Sequence, residues 1–249
     1  ESAGEVICFG TQVRVYVEPL QSALEYYNEG YAAAMASGDV LQAAVNNLFR
    51  CGNSFFAGVK LEIVRENYIA AIKFLVQKNI MIFMAQTQNI LHSTVLKLIG
   101  TDEEPKHVSA EDQNILATNN SAMASFYHQK SYISFMFRSY DDTKHYTEKY
   151  LACIGNTWAN LILAHAYQAF YIGLISFWLA RKSRDEQIWY KRGEKSKLAL
   201  KKWAESSQWT FENKWYLLEA EESFCNNDFE AAKTYYDKAI ASAKRHKVR

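Results

Sequence analysis

Two adjacent acidic residues, Asp141 and Asp142, are the only candidates for an aspartate-rich metal motif in this sequence. All-α enzymes of the terpene-synthase type hold divalent cations with such motifs, because carboxylate oxygens are ligands that hard cations prefer. The third carboxylate is missing, and His145 stands in its place. A second motif of the form Asn-Asp-x-x-Ser is also incomplete, since Ala231 occupies the serine position. We therefore interpret the two aspartates as a charge pair at a helix N-terminus, where the backbone dipole favours anions.

The other reactive side chains form no local catalytic or metal-binding pattern. The six histidines are scattered, and no two form the His-Glu-x-x-His pair that binds zinc from one helix face. Residues 193–196 lack the Gly-Lys pair and the upstream glycine of a phosphate-binding loop. The four cysteines are far apart, which indicates buried thiols in a reducing compartment rather than a structural zinc site. The sequence thus predicts no catalytic residue, no metal and no cofactor.

The composition indicates an all-α protein. Only 2 prolines and 10 glycines occur in 249 residues, and 49% of the residues are apolar, which is ample for a large core. Good helix formers are plentiful, whereas an all-β protein would need many more turn residues. The net charge of +1 gives no electrostatic reason to expect nucleic-acid binding. Residues 1–125 are acidic on balance and the rest basic, and we interpret Lys191 to Lys202 as a solvated basic face.

The segment Lys214 to Ala243 has the pattern of one helical hairpin. Aromatic and small residues fall at the spacings of a tetratricopeptide repeat: Tyr216, Ala220, Ala232, Tyr236 and Ala239. A polar break at 226–228 separates the two helices, and Asp228 is expected to cap the second. The match is partial, because Glu219, Ser223 and Lys244 replace residues usual in that repeat. Such a hairpin cannot bury its apolar stripe alone, so it predicts neighbouring hairpins.

Similar turns elsewhere indicate that this hairpin is one of a degenerate set. Gly38-Asp39 matches Asn227-Asp228 in having a turn residue, a capping aspartate and then an apolar residue, and the segment from Arg138 to Thr143 is a weaker third copy. The three turns share no constant period. We predict an all-α, tetratricopeptide-like α-α superhelix, or solenoid, of about ten or eleven helices. It would be a single helical-repeat domain over residues 1–249, with a candidate hinge in the polar loop 100–110.

One apolar segment, Leu161 to Ala180, is about long enough to cross a bilayer. His165, Gln168 and Ser176 argue against that interpretation, because unpaired polar groups are costly in hydrocarbon. A helix surrounded by other helices explains the segment better. This segment also suggests an alternative function. The chain could be a stand-alone all-α enzyme or small-ligand receptor with a pocket near Trp158 to Trp178, in which His165 and Gln168 are the polar groups.

Several short stretches together resemble the helical region of very large signalling proteins: Glu18-Pro19-Leu20, Gly30-Tyr31, Gly38-Asp39, Asn53 to Gly58, Ala164 to Tyr167 and Lys214 to Glu221. In that family a protein-kinase-like domain precedes a STAND-type AAA ATPase module, and tetratricopeptide-like helices lead on to GAF and histidine-kinase domains. The resemblance covers nearly the whole chain. It implies a sensor or transmission arm, with any ATPase or kinase activity in other segments, since the family's nucleotide-binding residues lie upstream and none maps here.

The predicted function is a non-catalytic helical scaffold that mediates protein-protein contacts in a signalling ATPase or kinase, in the cytoplasm. The expected partners are proteins, either other domains of the same chain or signalling partners, without nucleic acid and without a membrane span. The sequence begins at Glu1 without a signal-like segment, which suggests a piece of a larger intracellular protein. In the tetratricopeptide register, four side chains are predicted to face a concave binding groove: His128, Tyr132, Lys214 and Glu221.

Overall fold

The computed structural model describes residues 2–80, 87–101, 117–154, 163–182 and 186–246. These residues form eleven α-helices, and a π-helical turn at Thr87–His92 leads directly into the fifth. The all-α prediction and the expected helix number are therefore confirmed. The helices are α1 Ala3–Arg14, α2 Leu20–Ala36, α3 Val40–Phe56, α4 Leu61–Gln77, α5 Ser93–Ile99, α6 Asn120–Met136, α7 Tyr140–Cys153, α8 Leu163–Ala180, α9 Glu186–Ser206, α10 Gln208–Cys225 and α11 Phe229–Arg245.

Consecutive helices pack as antiparallel pairs. The most extensive pairs are α2 with α3, α6 with α7, α8 with α9, and α10 with α11. Further sequential contacts join α1 to α2, α3 to α4, and α9 to α10. This arrangement is repeat-like, as the sequence predicts, because each hairpin buries its apolar stripe against its neighbour in sequence.

The chain divides into two compact units. Unit 1 consists of Glu1–Arg14 and Leu20–Ala159, and unit 2 of Val15–Pro19 and Asn160–Arg249. The single domain over residues 1–249 stays a prediction. The predicted hinge at 100–110 lies outside the described residues, apart from Gly100 and Thr101 at its start.

The three turns that the sequence aligns share one backbone geometry. In the first, Gly38 has a φ of 76°, and the N–H of Asp39 donates to the carbonyl of Ala34 at 2.9 Å. This left-handed residue and six-residue hydrogen bond end the helix in the manner of a Schellman motif. The other two turns have Arg138 and Asn227 at the positive-φ position. The three copies are thus alike in their turns rather than in the lengths of chain between them. The repeat therefore has no constant sequence period.

The two aspartates that were predicted to cap helices do so through their side chains. Asp39 accepts a hydrogen bond from the N–H of Gln42 at 3.1 Å, and Asp228 accepts one from the N–H of Ala231 at 3.0 Å. Asn119, which the sequence did not single out, caps α6 in the same way through the N–H of Ala122. Each cap satisfies a backbone donor that has no partner inside the helix.

Removing the cap of α11 is expected to destabilise the protein. Asp228→Ala should lower the free energy of unfolding by about 1 kcal/mol, because the N–H of Ala231 loses its acceptor. Asp228→Asn is the matched control and should stay within a few tenths of a kcal/mol of the wild type, since asparagine caps equally well. Urea unfolding of the three proteins measures this. Equal losses in both variants would show that the charge, and not the cap, matters.

Large apolar side chains fill the core of unit 2. Phe177, Leu200, Phe211 and Leu218 are fully buried on α8, α9 and α10. The α8 helix is covered on several sides, as expected for a helix surrounded by other helices. Across the described residues, no helix has the length and hydrophobicity needed to cross a membrane.

A short segment before α2 also belongs to this core. Val15 is almost fully buried, and the ring of Tyr16 lies 6.2 Å from that of Trp203 and 5.8 Å from that of Phe211, measured between centroids. Trp203 in turn contacts Phe211 at 5.8 Å. The three rings form an aromatic cluster, and such pairs stabilise a core beyond the area they bury.

The cysteines agree only partly with the expectation of buried thiols. Cys8 and Cys51 are fully buried, and burial raises the pKa of both thiols, for Cys51 to about 11. Cys153 and Cys225 are half-buried. All four are free, so none contributes a disulfide.

Candidate protein-interaction residues and surfaces

His128 and Tyr132 lie on the buried side of α6, inside unit 1. The ring of His128 packs edge-on against Tyr150 of α7, with 5.3 Å between centroids. Tyr132 packs against Phe55 of α3 at 6.1 Å. Burial lowers the pKa of His128 to about 3, so its imidazole is neutral at physiological pH. Both side chains contribute to the interior of unit 1 and offer little surface to a partner.

Lys214 lies on the buried side of α10, inside unit 2. Only 7% of its surface is exposed. Its ammonium group donates to the carbonyl of Thr210 at 2.8 Å and lies over the ring of Tyr167 of α8, 5.1 Å from the centroid. Burial lowers the pKa of Lys214 to about 8. The aromatic face and the carbonyl stabilise the charge only in part, since the pKa remains lowered.

Glu221, also on α10, joins three helical segments of unit 2. Its carboxylate accepts a hydrogen bond from the guanidinium of Arg181, just after α8, and another from the hydroxyl of Tyr236 of α11, both at 2.7 Å. Burial, and then the bond to Glu221, raise the pKa of Tyr236. The Arg181 guanidinium also lies 4.9 Å from the ring centroid of Phe224. Both carboxylate oxygens are thus occupied by contacts within unit 2.

The four predicted residues therefore occupy two helices, with His128 and Tyr132 on α6 and Lys214 and Glu221 on α10. The first three are buried and the last is half-buried and hydrogen-bonded. Their role in binding a partner stays a prediction. A partner would reach His128, Tyr132 and Lys214 only after a rearrangement of the helix pairs that cover them.

The exposed side of α9 combines lysines with large apolar residues. Ile188 and Leu198 are 56% and 61% exposed. Lys191, Lys195 and Lys202 are exposed as well and fall on the same side of the helix, since the spacings are three, four, three and four residues. We call these five residues the α9 face. The predicted basic face is present, and it also exposes apolar residues, which helical spacing alone does not explain.

The exposed side of α4 has acidic and apolar residues. Glu62 and Glu66 are exposed, and Ile69 and Val76 are 46% and 56% exposed. Their spacings of four, three and seven residues place them on one side of the helix. We call these four residues the α4 face. The opposite side, with Val64, Tyr68, Ala71 and Leu75, is buried, and these residues are spaced by four, three and four.

A third exposed stripe runs along α1. Val6, Phe9 and Val13 are all more than half exposed and are spaced by three and four residues. Single exposed apolar residues are ordinary on a protein surface, whereas a contiguous stripe is typical of an interaction site. We call these three residues the α1 stripe.

The pocket of the alternative function is described only in part. Residues 155–162, including Trp158, lie outside the described residues, as do the side chains of 163 and 164. Gln168 is buried, and the ring of His165 lies 6.1 Å from that of Trp203. Burial and then the nearby charge of Lys195 lower the pKa of His165. The part of the chain that the structure describes holds no group of three His, Cys, Asp or Glu side chains placed to bind a metal ion.

Comparison with models of known families found no match, and neither did comparison with curated proteins or with solved structures. No family is therefore identified. The fold class is therefore assigned from the helices and their antiparallel pairing. The described residues form an all-helical structure with a repeat-like arrangement of hairpins.

Proposed function

We propose that this chain is a non-catalytic helical scaffold that mediates protein-protein contacts, as a sensor or transmission arm of a signalling ATPase or kinase in the cytoplasm. The link to signalling rests on the sequence resemblance described above. Antiparallel hairpins support the scaffold role, because stacked helix pairs expose long surfaces that suit protein partners.

The α1 stripe is the observation that carries this proposal. Exposed apolar residues at helical spacing suit the apolar face of another helix, which is a common mode of protein recognition. The stripe belongs to a helix whose other side already packs on α2 and α3. A partner can therefore cover it without disturbing the packing of α1 in unit 1.

The test compares three proteins: the wild type, the stripe variant Phe9→Glu/Val13→Glu, and the control Gln21→Glu/Asn28→Glu on exposed positions of α2. The probes are separately purified kinase-like, ATPase and histidine-kinase modules from a signalling protein of the resembling architecture. The wild type and the control should bind at least one module, and the stripe variant should bind it at least tenfold more weakly. Circular dichroism verifies that all three proteins are folded.

Two results would contradict the proposal. Binding that is equally strong in the stripe variant would remove α1 as the contact surface. Hydrolysis of ATP by the purified chain at an appreciable rate would contradict the non-catalytic assignment itself.

A further inference from the structure

We propose that copies of this chain associate with one another, the α9 face of one copy packing against the α4 face of the next. The two faces have opposite charge, and each presents large apolar residues beside its charged ones. This inference concerns a contact between copies and does not depend on the scaffold function proposed above.

The spacing of the residues favours one alignment of the two helices. From Lys191 to Lys195 is four residues and on to Leu198 is three, and the steps from Glu62 to Glu66 and on to Ile69 are the same. Side-by-side parallel helices would therefore place two lysines opposite two glutamates and Leu198 opposite Ile69. The face-to-face match thus covers two successive helical turns.

The complementary pairing of the α9 face with the α4 face stops after these two turns. One turn further on, Lys202 would lie opposite Lys73, and these like charges oppose a longer contact. The contact is therefore short, with an apolar centre at Leu198 and Ile69 and ion pairs on one side of it.

The strength and symmetry of the association follow from this composition. Exposed ion pairs contribute little each and are screened by salt, so the association should be weak and should decrease at high ionic strength. Each copy carries both faces, so the contact is heterologous and leaves one free face at each end of a dimer. We expect a concentration-dependent series of species, either a closed ring or a growing chain, rather than a dimer alone.

Sedimentation velocity between about 5 and 300 µM protein tests the proposal at low and high salt. The α9 variant is Lys191→Glu/Lys195→Glu, and the α4 variant is Glu62→Lys/Glu66→Lys. Each variant alone should be monomeric over this range, because its two faces now carry the same charge sign. An equimolar mixture of the two variants should associate again, since every contact between unlike copies then joins opposite charges.

A matched control lowers the net charge as much as the α9 variant does, but at positions outside both faces. This control is Lys78→Glu/Lys233→Glu, which alters two exposed lysines. This control should associate like the wild type at the same ionic strength. Circular dichroism identifies any variant that is unfolded, and the variant of the opposite face then decides the question. A wild type that stays monomeric at the highest concentration in low salt would overturn the inference, as would association that the face variants leave unchanged.

Discussion

Replacing Lys214 with methionine is expected to raise the free energy of unfolding at pH 7 by about 2 to 3 kcal/mol. Burial lowers the pKa of the ammonium group from its ordinary value of 10.5 to about 8, which means that the folded protein holds this charge at a cost. Methionine has a similar length and no charge, and it can keep the contact with the ring of Tyr167. The lost hydrogen bond to Thr210 reduces the gain without reversing it.

The pH dependence gives this prediction a second readout. Between about pH 8 and 10.5 the unfolded chain keeps the proton on Lys214 while the folded chain loses it, so the stability of the wild type rises with pH in that window. The advantage of Lys214→Met should accordingly shrink between pH 8 and 10.

Urea unfolding at pH 7, 8, 9 and 10 measures both effects. Lys233→Met, at an exposed position of α11, is the control and should change the stability by less than about 0.5 kcal/mol at every pH. A loss of stability in Lys214→Met at pH 7 would show that the charged form of Lys214 is favourable in the folded protein.

The wild type is expected to lose about 3 kcal/mol more stability between pH 7 and pH 4 than a His128→Leu variant does. Burial depresses the pKa of His128 from 6.5 to about 3. Over most of that pH range the unfolded chain binds a proton on this residue and the folded chain does not. Protonation therefore favours unfolding, and the stability contribution is lost progressively as the pH falls through the window from 6.5 to 3.

The measurement is the slope of the unfolding free energy against pH, which separates this effect from any change in packing. His128→Leu can differ from the wild type at pH 7 because the contact with Tyr150 changes, yet its slope should be flatter. Parallel slopes in the wild type and His128→Leu would show that His128 binds its proton equally well in the folded and the unfolded protein.

The features that the sequence predicts well are local ones. Asp39 and Asp228 cap their helices as expected, because a cap depends on residues within one turn of it. The buried side of α4 follows from the spacing of its apolar residues, and the small residues Ala220 of α10 and Ala232 of α11 are both buried. Helical spacing thus identifies which residues share a side of a helix.

Spacing does not determine which side a neighbouring helix will cover. Lys214 shares a side of α10 with Leu218, and only the packing of α8 shows that this side is interior. The reverse occurs at Leu198, an apolar residue whose helical spacing is typical of a core position and which is nevertheless exposed. Both outcomes depend on contacts between residues far apart in sequence, which a single sequence does not encode in any local pattern.

The contact of Tyr16 with Trp203 and Phe211 has a consequence for the order of folding. Repeat proteins can fold by propagation from one hairpin to the next, since their contacts are local in sequence. This aromatic cluster instead joins residues that are far apart in sequence, and closing so long a loop raises the contact order and slows folding. During synthesis, Tyr16 emerges long before its partners, so unit 2 completes its core only after Phe211 has been made.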